Sequence, residues 1–303
     1  MTEWYEKPPM SVTKEFFILV GLWVFALLLG GVLSIPIWMV MTGESPLKMG
    51  EELMNPKYRS ALLVIQSVSS VITFLLPAVI TALIVNKHPR RHLGLTSSFN
   101  LKNIILVLLV MGTAIVVGGV LGELNKDIPV SQSLKTYFDT LEKQYENAIQ
   151  SILVFRNIGD YLVTLLVIAV IPALVEEVMF RGSMQQILIR WFKYPLIGIL
   201  VTSFIFSAIH FSWYGFLPRM ALGVVLGYIF FYTGNLWYSI LAHFFNNGLT
   251  VTVLYIGFLS NQKIDTDSTE SFPLWIGIPS IVFLILLFGL LRKHGKAKAE
   301  TML

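Results

Sequence analysis

Long apolar runs separated by short polar stretches dominate this chain. Runs suited to crossing about 30 Å of hydrocarbon, which takes roughly 20 helical residues, lie at Phe16–Met41, Ala61–Val85, Asn103–Leu121, Tyr161–Leu174, Leu196–Phe211, Arg219–Tyr232, Leu236–Phe258 and Leu274–Leu291. The fourth continues as helix to about Phe192, and the fifth and sixth are short enough to be partly re-entrant. The pattern predicts an all-α, polytopic transmembrane helix bundle of about eight spans, with residues 1–303 forming a single membrane domain. One segment follows another period. In "YFDTLEKQYENAIQSILVF" the residues Phe138, Leu141, Tyr145, Ile149, Ile152 and Leu153 fall at helical spacing and the other face is charged, which predicts an amphipathic helix lying on the membrane.

Composition agrees with a membrane solvent. Hydrophobic residues make up 55% of the chain and charged ones 13%, against about a quarter charged in soluble domains. Cysteine is absent, which excludes disulfides, thiolate nucleophiles and thiolate metal sites. The net charge of +4 comes from basic residues at the ends of apolar runs, a pattern of membrane topology and not of nucleic-acid binding. The basic clusters "NKHPRRHLGL" and "RKHGKAKAE", set against acidic Asp265, Asp267 and Glu270, place both termini in the cytoplasm. The first run is too long for a signal-peptide core and lacks a small-residue cleavage site, so it is expected to be a retained span. The expected location is the plasma membrane of a bacterium, with lipid as the surrounding partner.

Ionisable groups inside spans point to function, and three helices carry them. In "EEVMFR", Glu177 and Arg181 are four apart and can pair on one helix face, while Glu176 lies about 100° away around the helix. Pro172, one turn earlier, frees a backbone carbonyl. "FSAIHF" supplies Phe206 and His210. "AHFFNNG" supplies His243 and Asn247 on one face, with Asn246 off that line. Each feature alone also fits a structural reading: interfacial charges, a proline kink, or hydrogen-bonding between packed helices. A turn at "FKYP" changes the weighting, because it brings Glu177 and His210 to one level, roughly 23 Å from the turn at 1.5 Å per residue. The same turn, placed in the cytoplasm by the basic clusters, moves His210 toward the outer half of its span.

These three motifs, Glu176-Glu177-Val-Met-Phe-Arg181, Phe206-Ser-Ala-Ile-His210 and His243-Phe-Phe-Asn-Asn247, resemble in order and spacing the EExxxR, FxxxH and HxxxN set of the CPBP family. That family comprises the type II CAAX prenyl endopeptidases and the bacteriocin-processing or Abi proteins. The resemblance covers roughly residues 160–255 and makes that stretch the expected catalytic core. It implies an intramembrane endopeptidase acting on protein or peptide substrates at the membrane, CAAX-like ones included, with access from the cytosolic side. Glu176 and His210 would activate water, His243 and Asn247 would stabilise the oxyanion, and Arg181 would hold Glu177, with Phe206 beside them. No cofactor is expected. The alternative is zinc held by His210, His243 and Glu176, although no HExxH occurs in the chain. A proton-coupled transporter is disfavoured because the halves show no internal symmetry. A non-catalytic scaffold or immunity protein keeping the same fold stays open, and nothing in the sequence sets the oligomeric state.

Overall fold

The computed structural model describes residues 10–261 and 272–294. The acidic Asp265, Asp267 and Glu270, and the basic tail after His294, lie outside the described residues.

Among the described residues nine helices carry the architecture: α1 (Val12–Thr42), α2 (Pro56–Val85), α3 (Leu101–Lys126), α4 (Gln132–Ile152), α5 (Ile158–Phe192), α6 (Pro195–Ala208), α7 (Phe216–Thr233), α8 (Leu236–Leu259) and α9 (Leu274–His294). Among the described residues there is no strand. Their starts follow from side-chain caps, which satisfy the free N–H groups of a first turn. Asn100 caps α3 through Lys102 N at 2.9 Å, Asn157 caps α5 through Asp160 N at 3.1 Å, and Asn235 caps α8 through Trp237 N at 3.1 Å. Several ends are left-handed, at Gly43 (φ 73°), Lys193 (φ 60°) and Gly234 (φ 62°).

Seven of these helices are long and apolar enough to cross a membrane, which makes this an integral multi-pass membrane protein. The count is one short of the expected eight, and the difference lies at one of the two runs short enough to be partly re-entrant. The run Leu196–Phe211 is apolar throughout, but its helix stops at Ala208 after 14 residues, about 21 Å at 1.5 Å per residue. His210 therefore stands in a loop and not in a span. Phe211 in that loop takes a left-handed conformation (φ 51°), and Ser207 Oγ donates to Phe216 O at 2.6 Å. The loop is held shut by backbone and side-chain bonds that no hydropathy plot registers.

The amphipathic segment is α4, and its apolar face is turned onto this loop. Phe138 stacks on Trp213 with ring centroids 4.4 Å apart, Tyr214 donates to Asp139 at 2.6 Å, and Ser212 donates to Glu142 at 2.9 Å. The bond to Asp139 pushes the Tyr214 phenol up to about 12, so it stays a donor at neutral pH. The far end of α4 is tied down: Arg59 Nε donates to Ile152 O at 2.9 Å and Ser151 Oγ to Met54 O.

Helix α5 runs through the centre and is clamped at both ends by charge. Arg190 reaches Glu15 of α1 at 2.7 Å, and Asp160 pairs with Arg59 of α2 at 3.1 Å and Arg156 at 3.0 Å. Between the clamps, helices α5, α6 and α7 approach closely through glycines, as membrane helices do where small residues let backbones meet. A Cβ on Gly198 would lie 2.7 Å from the Ile189 backbone nitrogen, and one on Gly227 would lie 2.7 Å from Gln185 Oε1. Gly31 of α1, by contrast, has nothing within 4 Å of a Cβ. Gly198→Ala is therefore expected to lower the melting temperature in detergent, with overpacking costing about 1–3 kcal/mol. Gly31→Ala should leave it unchanged or raise it, since helix-interior glycine costs about 0.5–1 kcal/mol relative to alanine. Melting both variants by tryptophan fluorescence checks the contrast.

Candidate active site

The site forms where α5, the end of α6, and α8 meet against α7. On α5, Glu177 and Arg181 share a face and are wholly buried, with Arg181 Nη1 donating to Glu177 Oε1 at 2.6 Å. An ion pair in such surroundings needs most of its remaining polar atoms satisfied, and here all but Arg181 Nε find a partner among the described residues. Ser239 Oγ of α8 donates to Glu177 Oε2 at 2.5 Å. Arg181 Nη2 donates to Gly223 O of α7 at 3.1 Å, and its guanidinium lies over the Phe206 ring with Cζ 4.7 Å from the centroid. Gly223 makes this contact possible: a Cβ there would sit 2.9 Å from Ser203 Cβ, pushing α7 from α6.

His243 lies between the two glutamates. Its Nδ1 is 2.9 Å from Glu177 Oε1, and its Nε2 is 3.9 Å from Glu176 Oε2. An ionised carboxylate only accepts, so Nδ1 carries the hydrogen and Nε2 is turned toward Glu176. Glu177 therefore does more than pair with Arg181; it fixes the ring orientation of His243. Glu176, on the adjacent face, keeps 13% of its side chain exposed, whereas Glu177 keeps none.

His210 is oriented in a similar way. Its Nδ1 donates to Phe206 O at 2.7 Å, because a carbonyl only accepts, and this leaves Nε2 with a lone pair. Phe206 joins the two histidines edge-on, with ring centroids 5.0 Å from His210 and 6.0 Å from His243.

Asn247 is held by the backbone defect in α5. A regular helix would bond Ile168 O to the N–H of residue 172, which proline lacks. Helix α5 widens over Leu166–Val170, and Asn247 Nδ2 donates to Ile168 O at 3.1 Å. Asn246 Nδ2 donates to Asn247 Oδ1 at 3.0 Å. Asn246 thus orients its neighbour, and among the described residues one of the two Asn247 N–H groups has no partner.

The residues singled out by sequence, Glu176, Glu177, Arg181, Phe206, His210, His243 and Asn247, all gather here. Ser239 escaped that reading, although it left a signal. Ser239, His243 and Asn247 recur every four residues, one stripe along α8. The Gly223 carbonyl left none, since backbone acceptors become visible only once α7 is packed. Among the described residues no three His, Asp or Glu groups converge as an ion would need, and His210 forms no ion pair with either glutamate.

Residues 158–249 match the family model for type II CAAX prenyl endopeptidase Rce1-like proteins. No curated protein and no solved structure matches the chain significantly. The matched stretch runs from the start of α5 into α8 and holds every residue of the three motifs. The similarity to the Rce1-like type II CAAX prenyl endopeptidases thus covers about a third of the chain, the part in which the three motifs lie.

Proposed function

We propose that this protein hydrolyses peptide bonds of membrane-associated substrates by adding a water molecule activated at Glu176. The observation that carries the reading is the division between adjacent carboxylates. Glu177 is sealed among Arg181, Ser239 and His243, and Glu176 alone keeps an opening beside His243 Nε2. In this mechanism Glu176 accepts one proton of the water while the water oxygen adds to the scissile carbonyl carbon. His210 Nε2 accepts a hydrogen bond from the same water. The tetrahedral oxygen receives hydrogen bonds from the free N–H of Asn247 and from His243 Nε2, which in that role carries the second proton of the ring. Donors preset for a developing negative charge are among the larger contributions to catalysis. Glu176 then returns its proton to the amide nitrogen as the C–N bond breaks, leaving a carboxylic acid, which keeps the water's second proton until it ionises, and an amine. The basic end of the bundle, with Arg90, Arg91, Arg190 and Lys193, faces the cytoplasm.

Three outcomes follow for purified protein in lipid nanodiscs. Glu176→Gln and His210→Ala abolish cleavage of a membrane peptide library read by mass spectrometry, while both proteins stay folded; turnover by Glu176→Gln at the wild-type rate would end the proposal. Asn247→Ala keeps residual activity, reduced about 10²–10³-fold, the usual cost of one oxyanion donor.

Stability separates the two glutamates as well. Removing one member of a buried ion pair costs about 3–5 kcal/mol, so Arg181→Ala melts well below wild type and Glu176→Gln does not. Equal melting temperatures would contradict the assigned roles.

Metal dependence is tested on the same material. Active protein is expected to hold no stoichiometric zinc by elemental analysis and to survive slow chelation. Zinc lost and regained together with activity would favour the metalloprotease mechanism.

A further inference from the structure

Arg219 is not used by the proposed chemistry, yet it stands beside it. It lies four residues before Gly223 on α7, on the same face, and Gly223 O is the acceptor that holds Arg181. Arg219 is therefore about one helical turn, roughly 5–6 Å along the axis, from the carbonyl that holds Arg181. Its guanidinium packs flat on Gly215, where a Cβ would come within 2.4 Å of Nη2, and Cζ sits 5.2 Å from the Tyr145 ring of α4. Nη1 is buried and bonded to nothing. Among the described residues Arg219 forms no ion pair. On α4 nearby, Asp139 accepts from Tyr214 and Glu142 from Ser212. The charge of Arg219 also acts on His210, which places it on the His210 side of the site.

A guanidinium with a buried, unbonded N–H is costly unless something fills it, and its planar fork matches a carboxylate. We infer that Arg219 is a specificity-determining residue that binds a carboxylate carried by the peptide substrate, on the His210 side of the site. The inference rests on the hydrolase reading. The carboxylate is either the substrate's chain terminus or an acidic side chain, and the test separates the two.

The probe is an N-dodecanoyl, dye-labelled hexapeptide in three forms: free C-terminal acid, C-terminal amide, and C-terminal amide with a glutamate near that end. Binding is read by fluorescence anisotropy to full-length Glu176→Gln protein in nonionic micelles, so that no peptide is cut. One carboxylate form is expected to bind roughly 10–100-fold tighter than the plain amide, the range of a charge-assisted hydrogen-bond pair. Which form gains identifies the source. Adding Arg219→Gln erases the gap and leaves the affinity for the plain amide unchanged, a pattern that a merely structural residue would not produce. Arg219→Lys, which keeps the charge and loses the fork, narrows it. Equal affinities for all three forms, or a gap that survives both substitutions, would overturn the inference. So would an Arg219→Gln effect confined to phosphatidylglycerol binding, which would assign the arginine to a lipid headgroup. Wild-type turnover without a gap would sink the Arg219 assignment alone, and a gap without turnover would sink only the hydrolase reading.

Discussion

A salt bridge in the middle of a membrane helix governs the arrangement of this bundle. Glu177 and Arg181 are both wholly buried, and desolvating two charges costs several kcal/mol each even after relaxation. Their attraction offsets that cost only when most of the remaining lone pairs and N–H groups also find partners, as all but Arg181 Nε do among the described residues. No single helix can supply these. Glu177 draws Ser239 and His243 from α8, and Arg181 draws the Gly223 carbonyl from α7 and the Phe206 ring from α6. Satisfying one pair therefore fixes the relative positions of four helices. Because lipid supplies no hydrophobic drive between helices, polar bonds of this kind and close glycine contacts are what hold α5 to α8 in register.

The same demand explains why the site is built around defects. Pro172 leaves the Ile168 carbonyl without its regular partner, and Asn247 occupies it. The helix widens again over Phe180–Gln185, the segment that contains Arg181. Wide turns of this type concentrate at functional positions in helices. Here each has an evident consequence: one anchors the amide of α8, and the other sets the guanidinium against α7.

The spans were legible in the sequence because hydrocarbon imposes a length and a composition on any helix that crosses it. The three motifs were legible because charge is rare in such runs, so Glu176, His210 and His243 stand out from their surroundings. Hydropathy failed at Leu196–Phe211, where the run continues past the end of the helix. The stop is made by the Ser207 bond to Phe216 O and the left-handed Phe211, neither of which alters the apolar count. The inward turn of α4 was hidden for a similar reason. An amphipathic pattern shows that a helix has an apolar face, and only packing shows that Trp213 and Arg219 meet it. Ser239 was readable from its spacing, whereas the carbonyls of Gly223 and Gly227 were not, since glycine announces close approach without saying to what.

Two neighbouring glutamates in one helix illustrate how little sequence distance a division of roles requires. A step of one residue turns the side chain by about 100°. That turn puts Glu177 into a pocket of donors and Glu176 at its edge, with His243 Nε2 3.9 Å from its Oε2. In the proposed mechanism the buried partner is as necessary as the reactive one. Without a fixed negative charge at Nδ1, the imidazole of His243 would be free to rotate, and its Nε2 would no longer be directed toward Glu176. The outer carboxylate then works in a space whose shape and polarity are set by the inner one.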